Sequence, residues 1–246
     1  MNSGYLGKIH GIPFGTPFFS QFFTWFQKTV PSSFEQARTK VLVPTKRAVR
    51  SFEEAARQLP GTCLLPKFIA LSDVGSENSF QIPALQNLPP IISPLQRYAF
   101  LEKLVGSFLK NSNYSSTRHY VLSLMDVLDE LMVHGVTLDQ LSAFNAGIYG
   151  EHFQKTFDLL KLILTHWPLI MKEASVMEAQ EYTKTCFSLL IHHLNESPSS
   201  DPIILAGSTG SLPTTRHLMK TILQRSNGYV VLPGADEDIF SNLPPT

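Results

Sequence analysis

A short apolar strand, a loop with glycine and proline, and a strongly apolar helix follow one another near the start of the chain. Gly7 to Ile12 is predicted to form the strand. The helix is predicted because phenylalanines recur at the spacing of one helical face; they are Phe18, Phe19, Phe22, Phe23 and Phe26. A buried strand that leads into an amphipathic helix favours an α/β fold with a parallel sheet.

The loop between them has the frame of a phosphate-binding loop but lacks its chemistry. The working motif, G-x-x-x-x-G-K-[ST], holds phosphate with backbone N–H groups and a lysine, and magnesium with a hydroxyl. Counted from Gly11, its second glycine falls on Thr16. Its lysine falls on Pro17, which has neither N–H nor charge, and its hydroxyl on Phe18, which cannot coordinate a metal. Together with Gly15, these residues are predicted to form a degenerate nucleotide loop, although a strand, a Gly/Pro loop and an apolar helix also occur in many other α/β proteins.

The composition limits the classes of function. The 246 residues allow one large domain or two small ones, and 43% of them are hydrophobic, which is enough for a substantial core. Lys and Arg number 20, as do Asp and Glu, so the formal net charge is zero. Because an autonomous nucleic-acid binder usually has a basic excess, strong DNA binding by this chain alone is not expected. A local groove inside a larger assembly remains open.

Cysteines and acidic residues give no metal pattern. Cys63 and Cys186 belong to no C-x-x-C pair, so both are predicted to be small buried hydrophobic residues. The acidic run at 236–238 is predicted to be a solvated loop rather than a cation site. No signal peptide or membrane-spanning stretch is recognised, so a cytoplasmic protein is expected, without a metal or cofactor.

The rest of the chain divides into a helical middle and a return to α/β. Strands are predicted at 41–44, 64–71, 202–206 and 229–232, with helices at 47–59 and 212–224 and a turn at Gly228. Between them, the helical part starts at Ser93-Pro94 and contains four amphipathic helices, the third ending before Pro168. We therefore expect one sheet built from residues 1–90 and 200–246, interrupted by a helical insertion at 91–199. The chain end resembles an unfinished βα unit, so a fragment of a longer protein is expected.

A basic segment follows the second predicted strand. Thr45, Lys46 and Arg47 lie where that strand ends and a helix begins, and residues 38–50 include five basic residues and no acidic one. Ligands of open parallel sheets bind at the carboxyl ends of the strands, and a hydroxyl, two cations and helix N–H groups suit a phosphate backbone. An ordinary solvated basic face explains the segment equally well.

The loop from Gly207 to Ser211 has three interpretations. Its N–H groups at a helix start could hold an anion. Ser208, on a strand-to-helix turn, could be a nucleophile, although it lacks the G-x-S-x-G pattern and a histidine or aspartate at a recognisable spacing. The loop could also be a purely structural connection in which Ser211 caps the next helix.

Several motifs occur together, in the same order, in the N-terminal region of AddB proteins, and the chain resembles this family along essentially all of its length. AddB is a subunit of the AddAB helicase–nuclease, which processes double-strand breaks for recombination. The alphaproteobacterial form, which the chain resembles most, is described as an inactivated superfamily I helicase. The last two motifs are the most specific; the set comprises 12–18, 43–47, 88–94, 206–213 and 230–236.

The resemblance implies a RecA-like domain whose inserted helices form a subdomain. Thr45, Lys46 and Arg47 would take the place of a helicase segment that touches single-stranded DNA. Residues 202–211 would take the place of the Walker B segment, where a working helicase has Asp-Glu for magnesium and the attacking water. The strand here runs into Gly207, Ser208 and Thr209 with no carboxylate. Both catalytic elements of the ATPase are therefore missing, and nucleotide binding is not carried over from family members that retain it.

We therefore expect a non-catalytic module that guides or inspects single-stranded DNA beside an AddA-like motor subunit. The expected DNA contacts are Thr45, Lys46 and Arg47, followed by Ser208 and Thr209. The family's second motor domain and its nuclease domain with an iron–sulfur cluster would lie beyond the last residue. Two other functions remain open, namely a small phosphate-ester or nucleotide enzyme that uses the Ser208 loop and a scaffold that contacts only protein.

Overall fold

The computed structural model describes residues 8–60, 64–76, 79–108, 114–137, 140, 150–196 and 200–234. The chain forms two compact units, one from residues 1–86 and 186–246 and the other from 87–185. Predictions for Gly7, Cys63, the acidic run at 236–238 and the chain end lie outside the described residues. The predicted domain boundary at 90/91 lies four residues from one division and that at 199/200 lies fourteen residues from the other, and both stay predictions.

The first unit contains a sheet of five parallel strands in the order β1-β5-β4-β2-β3. This arrangement confirms the predicted α/β fold class and is consistent with a RecA-like fold. Strand β3 begins after Pro66, later than predicted, and Gly228 begins β5 instead of closing a turn. The strands are β1 (Ile9–Ile12), β2 (Lys40–Val43), β3 (Lys67–Ala70), β4 (Ile203–Ala206) and β5 (Gly228–Pro233).

Four helices of the described chain lie wholly within this unit. They are α1 (Phe18–Thr29), α2 (Ser33–Arg38), α3 (Lys46–Arg57) and α8 (Pro213–Gln224). The short helix α2 was not predicted; Ser32 caps it by accepting a hydrogen bond from the N–H of Glu35 at 3.4 Å. The proposed cap at Ser211 is wrong, because α8 is preceded by Leu212, which makes no side-chain cap, and starts at Pro213.

Aromatic side chains fill the layer between the sheet and helices α1 and α3. Phe22, Phe23 and Phe26 of α1 are buried, as the helical periodicity predicted. Phe52 of α3 lies at the centre of the cluster, with its ring stacked on Phe68 of β3 at 5.0 Å between centroids. Burial of such large rings is the main driving force for attaching these helices to the sheet. Because alternate residues of a strand face opposite sides, the buried Leu42, Leu205 and Val230 show that the other face is covered too.

The second unit is helical. It contains α4 (Pro94–Phe108), α5 (Tyr114–His134), α6 (Gly150–Glu173) and the first part of α7 (Ala179–Glu196), which crosses the division between the units. Helix α6 continues through Pro168, so the prediction that it ends before this residue is wrong. A buried polar group joins the packed helices, because Glu178 accepts hydrogen bonds from Arg97 Nε at 2.9 Å and from Trp167 Nε1 at 2.8 Å.

Candidate functional site at the carboxyl edge of the sheet

The strand order brings the predicted site segments to one edge of the sheet. All five strands are parallel, so the loops that follow them leave from the same side. The loop after β1 contains the predicted degenerate nucleotide loop, the loop after β2 contains the basic segment, and the loop after β4 contains Ser208 and Thr209. Ligands of open α/β sheets bind at this edge, which makes it the candidate functional site.

The loop after β1 closes on itself. Gly15 has a φ of 84°, a left-handed conformation that favours glycine. The hydroxyl of Thr16 donates to the carbonyl oxygen of Pro13 at 2.7 Å, and the N–H of Thr16 points to the same oxygen at 3.5 Å. Gly11 lies inside β1, and Pro17 precedes α1 without a side-chain cap. The two donors of Thr16 are thus used within the turn, and Pro17 has no N–H to offer a phosphate.

The ring of Phe18 lies beside Gly207, directly after β4. A Cβ built on Gly207, directly after β4, would lie 3.5 Å from Cε1 of Phe18 and 3.7 Å from Cδ of Pro44, which follows β2. The same ring makes edge contacts with Phe19 and Phe52, at centroid distances of 5.7 Å and 6.1 Å. The position where the motif would place a metal-binding hydroxyl is therefore an apolar packing position, between the aromatic cluster and the loop after β4.

The three predicted contact residues after β2 differ in their roles. Thr45 caps α3, because its hydroxyl accepts a hydrogen bond from the N–H of Ala48 at 3.2 Å. The ammonium of Lys46 forms an ion pair with Asp73 at 3.1 Å, and the Lys46 side chain is 71% exposed. Arg47 is exposed and has no ion pair among the described residues. Thus Thr45 positions the helix start, while Lys46 and Arg47 present two cations to solvent.

The loop after β4 is tight. Gly207 has a φ of 79°, and its N–H donates to the carbonyl oxygen of Val231 at 2.9 Å. The hydroxyl of Ser208 accepts a hydrogen bond from the N–H of Gly210 at 3.4 Å, and Thr209 is exposed. No histidine or carboxylate contacts the Ser208 hydroxyl within the described part of the chain, so the geometry gives no support to a nucleophilic serine.

Sequence reasoning missed two charged residues at this edge. Asp73, in a short 3₁₀ segment after β3, pairs with Lys46. Arg216 reaches back from α8, where its Nε donates to the carbonyl oxygen of Gly210 at 3.3 Å. Residues 38–50 include no acidic residue, but Asp73 comes close to Lys46 because it follows β3, which pairs with β2. One of the two exposed cations is therefore partly neutralised.

Cationic groups also lie at the opposite, amino edge of the sheet. The β2–β3 register places Lys40 beside Lys67. Burial lowers the pKa of Lys40, the charge of Lys67 lowers it further, and Asp201 opposes the shift. Burial also lowers the pKa of His193, with further lowering by Lys40 and Arg225. These cations are crowded together, whereas Lys46 and Arg47 are open to solvent.

Within the described ranges, no group of three or more His, Cys, Asp or Glu residues is placed to hold a metal ion. Cys186 is buried on α7, as predicted. Among the helices of the described chain, none combines the length and apolarity needed to cross a bilayer. Compared with models of known protein families, the chain matches none, and no curated protein sequence matches it.

Proposed function

We propose that this chain is a non-catalytic, helicase-like module of a double-strand-break repair helicase–nuclease of the AddB type. It would act in the cytoplasm with an AddA-like motor subunit and guide or recognise single-stranded DNA across the carboxyl edge of its sheet. The observation that carries the proposal is the position of the Phe18 ring beside Gly207, at the edge where a helicase of this fold would hold its triphosphate.

The edge offers little to a triphosphate. Gripping it requires backbone N–H groups, a lysine and a hydroxyl for magnesium at the loop after the first strand. In that loop, the Thr16 hydroxyl donates to Pro13 at 2.7 Å, Pro17 has no N–H, and Phe18 is packed in the aromatic cluster. A chain of this kind retains the shape of a nucleotide-dependent motor without the groups that would drive it.

The same edge offers cations to a phosphate backbone. Arg47 is exposed, and within the described ranges Lys46 has an ion pair with Asp73 alone, in a pair of exposed side chains that contributes little. A DNA phosphate could replace Asp73 at small cost, because the Asp73 carboxylate and the phosphate both offer anionic oxygens to Lys46 at a solvent-exposed surface. Phosphate contacts of this type fix position rather than sequence. We therefore expect weak binding by the chain alone, with strong dependence on salt.

The test is a pair of titrations on the 246-residue chain. Fluorescence anisotropy with a single-stranded oligonucleotide should show binding that falls about tenfold or more in the double variant Lys46→Ala/Arg47→Ala. The matched control, Lys28→Ala/Arg57→Ala, removes the same charge from the last turns of α1 and α3 and should retain binding. Calorimetry with ATP and magnesium should show no heat of binding. Tight ATP binding, or equal DNA binding by the three proteins, would overturn the proposal.

A protein-only scaffold is the second candidate, and the formal net charge of zero favours it. A scaffold would bind an AddA-like subunit without touching DNA. Crosslinking in the assembled complex separates the two functions, because only the DNA-guiding module gives crosslinks from the 45–47 segment to a photoreactive oligonucleotide.

A further inference from the structure

Phe14 lies on the turn after β1 with 87% of its surface exposed. Single exposed apolar residues are common on protein surfaces, so what distinguishes this ring is its position beside the candidate site. The other rings of this region, from Phe18 to Phe26, pack in the aromatic cluster or against it. Phe14 therefore stands apart from the core-forming set, although it belongs to the same stretch of sequence.

The surrounding backbone fixes the turn that carries this ring and touches the end of the ring. Gly15 adopts its left-handed φ directly after Phe14, and the Thr16–Pro13 hydrogen bond closes the turn on which the ring lies. The end of the ring rests on the backbone of Gly234, directly after β5, where a Cβ would lie only 2.2 Å from Cζ of Phe14. A ring supported at one end by backbone, with its faces open, has the form of a stacking platform.

The cations of the candidate site lie within reach of the same strand of DNA. The ends of β5 and β2 are separated by β4, so they lie two strand spacings apart, on the order of 10 Å. Phe14 rests at the end of β5, and Lys46 and Arg47 follow β2. An extended single strand could thus place a base on the ring while a phosphate farther along meets the two cations.

We propose that Phe14 is a stacking platform for a nucleobase of single-stranded DNA. This inference rests on the proposed function and adds a contact to a base, since that function assigns Lys46 and Arg47 to phosphate. Base–aromatic stacking is tolerant of sequence because every base has a π-face, and it commonly accompanies a cationic track in single-strand binders.

The experiment compares two oligonucleotides with four proteins. One oligonucleotide carries bases throughout, and the other has abasic sites with the same phosphates. The proteins are the unmodified chain, Phe14→Ala, Phe14→Trp and the control Phe34→Ala, which removes a second exposed ring, on α2. We expect Phe14→Ala to weaken binding of the normal oligonucleotide about 5- to 100-fold. Phe14→Trp should retain binding, and the fluorescence of the introduced tryptophan should fall when DNA is added. Phe34→Ala should bind as the unmodified chain does.

The abasic oligonucleotide separates stacking from other roles. Without bases, the unmodified chain and Phe14→Ala should bind equally. The stacking proposal would be overturned if the unmodified chain and Phe14→Ala bound the normal oligonucleotide with equal affinity. The proposed function would stand in that case if Lys46→Ala/Arg47→Ala lost binding. No DNA binding by the unmodified chain would overturn both. Loss of self-association in Phe14→Ala, with DNA binding unchanged, would assign the ring to a protein contact instead.

Discussion

Both edges of the sheet carry cations, and they use them differently. At the amino edge, Lys40 is half-buried and crowded by Lys67. At the carboxyl edge, Lys46 and Arg47 are exposed, and Lys46 has one weak ion pair. Counting basic residues along the chain does not distinguish these edges, because the difference lies in which donors are already engaged. A surface meant for an exchangeable anion must keep its cations available.

Two cations near the end of α8, Lys8 and Arg225, have structural roles. Lys8 donates to the carbonyl oxygen of Leu223 at 3.3 Å and also to that of Arg225, so it binds carbonyls at the end of α8. Arg225 in turn donates to the carbonyl oxygen of Leu194 in α7. Such bonds satisfy carbonyls that a helix end leaves without intrahelical partners. These charges serve the fold, whereas those after β2 remain available to a ligand.

The largest effect should come from the amino edge. A Cβ on Gly228, the first residue of β5, would lie 1.7 Å from the carbonyl oxygen of Ile222, a backbone atom that cannot move without shifting α8. We expect Gly228→Ala to lower the free energy of unfolding by about 3 kcal/mol or more, measured by urea denaturation. The control is Gly106→Ala in α4, where a Cβ meets nothing within 4 Å. The higher helix propensity of alanine should raise the free energy of unfolding there by about 0.5–1 kcal/mol.

The equivalent change at the carboxyl edge should cost less. Gly234→Ala places its Cβ against the end of the exposed Phe14 ring, which can turn away, and the remaining cost is the left-handed φ of 69°. A loss of about 1–2 kcal/mol is expected. The ring should also move, so that Gly234→Ala weakens single-stranded DNA binding as Phe14→Ala does. A loss equal to that of Gly228→Ala would mean that the two edges are equally rigid.

The smallest effect concerns pH. The folded state disfavours protonated His193, because burial and the charges of Lys40 and Arg225 lower its pKa from 6.5. The unfolded chain therefore binds more protons as the pH falls below about 6.5, and stability is lost over that range. His193→Gln should remove a few tenths of a kcal/mol of this dependence, since the site is mostly open to water. The control is His192→Gln at the exposed neighbouring residue, which should leave the His193 contribution to the pH dependence of stability unchanged.

The sequence predicted the elements of the sheet better than the contacts of the site. Apolar runs and helical periodicity located β2, β4 and α1 to within a few residues, because local patterns reflect burial. The ion pair of Lys46 with Asp73 could not be predicted, since it depends on β3 lying beside β2. Likewise, the exposure of Phe14 depends on where β5 ends. Pro168 continues a helix that local rules would stop, which shows tertiary packing overriding propensity.

The position of β1 at the outside of the sheet has a consequence for biosynthesis. Within the described residues its hydrogen-bonding partner is β5, and Ile9 pairs with Val230, more than two hundred residues later. Strand β1 therefore leaves the ribosome long before β5 and must wait for it before the two can pair. Meanwhile the phenylalanines of α1 have no completed sheet to cover them, and long-range closure of this kind is slow. The nascent chain should be a client of chaperones until β5 emerges.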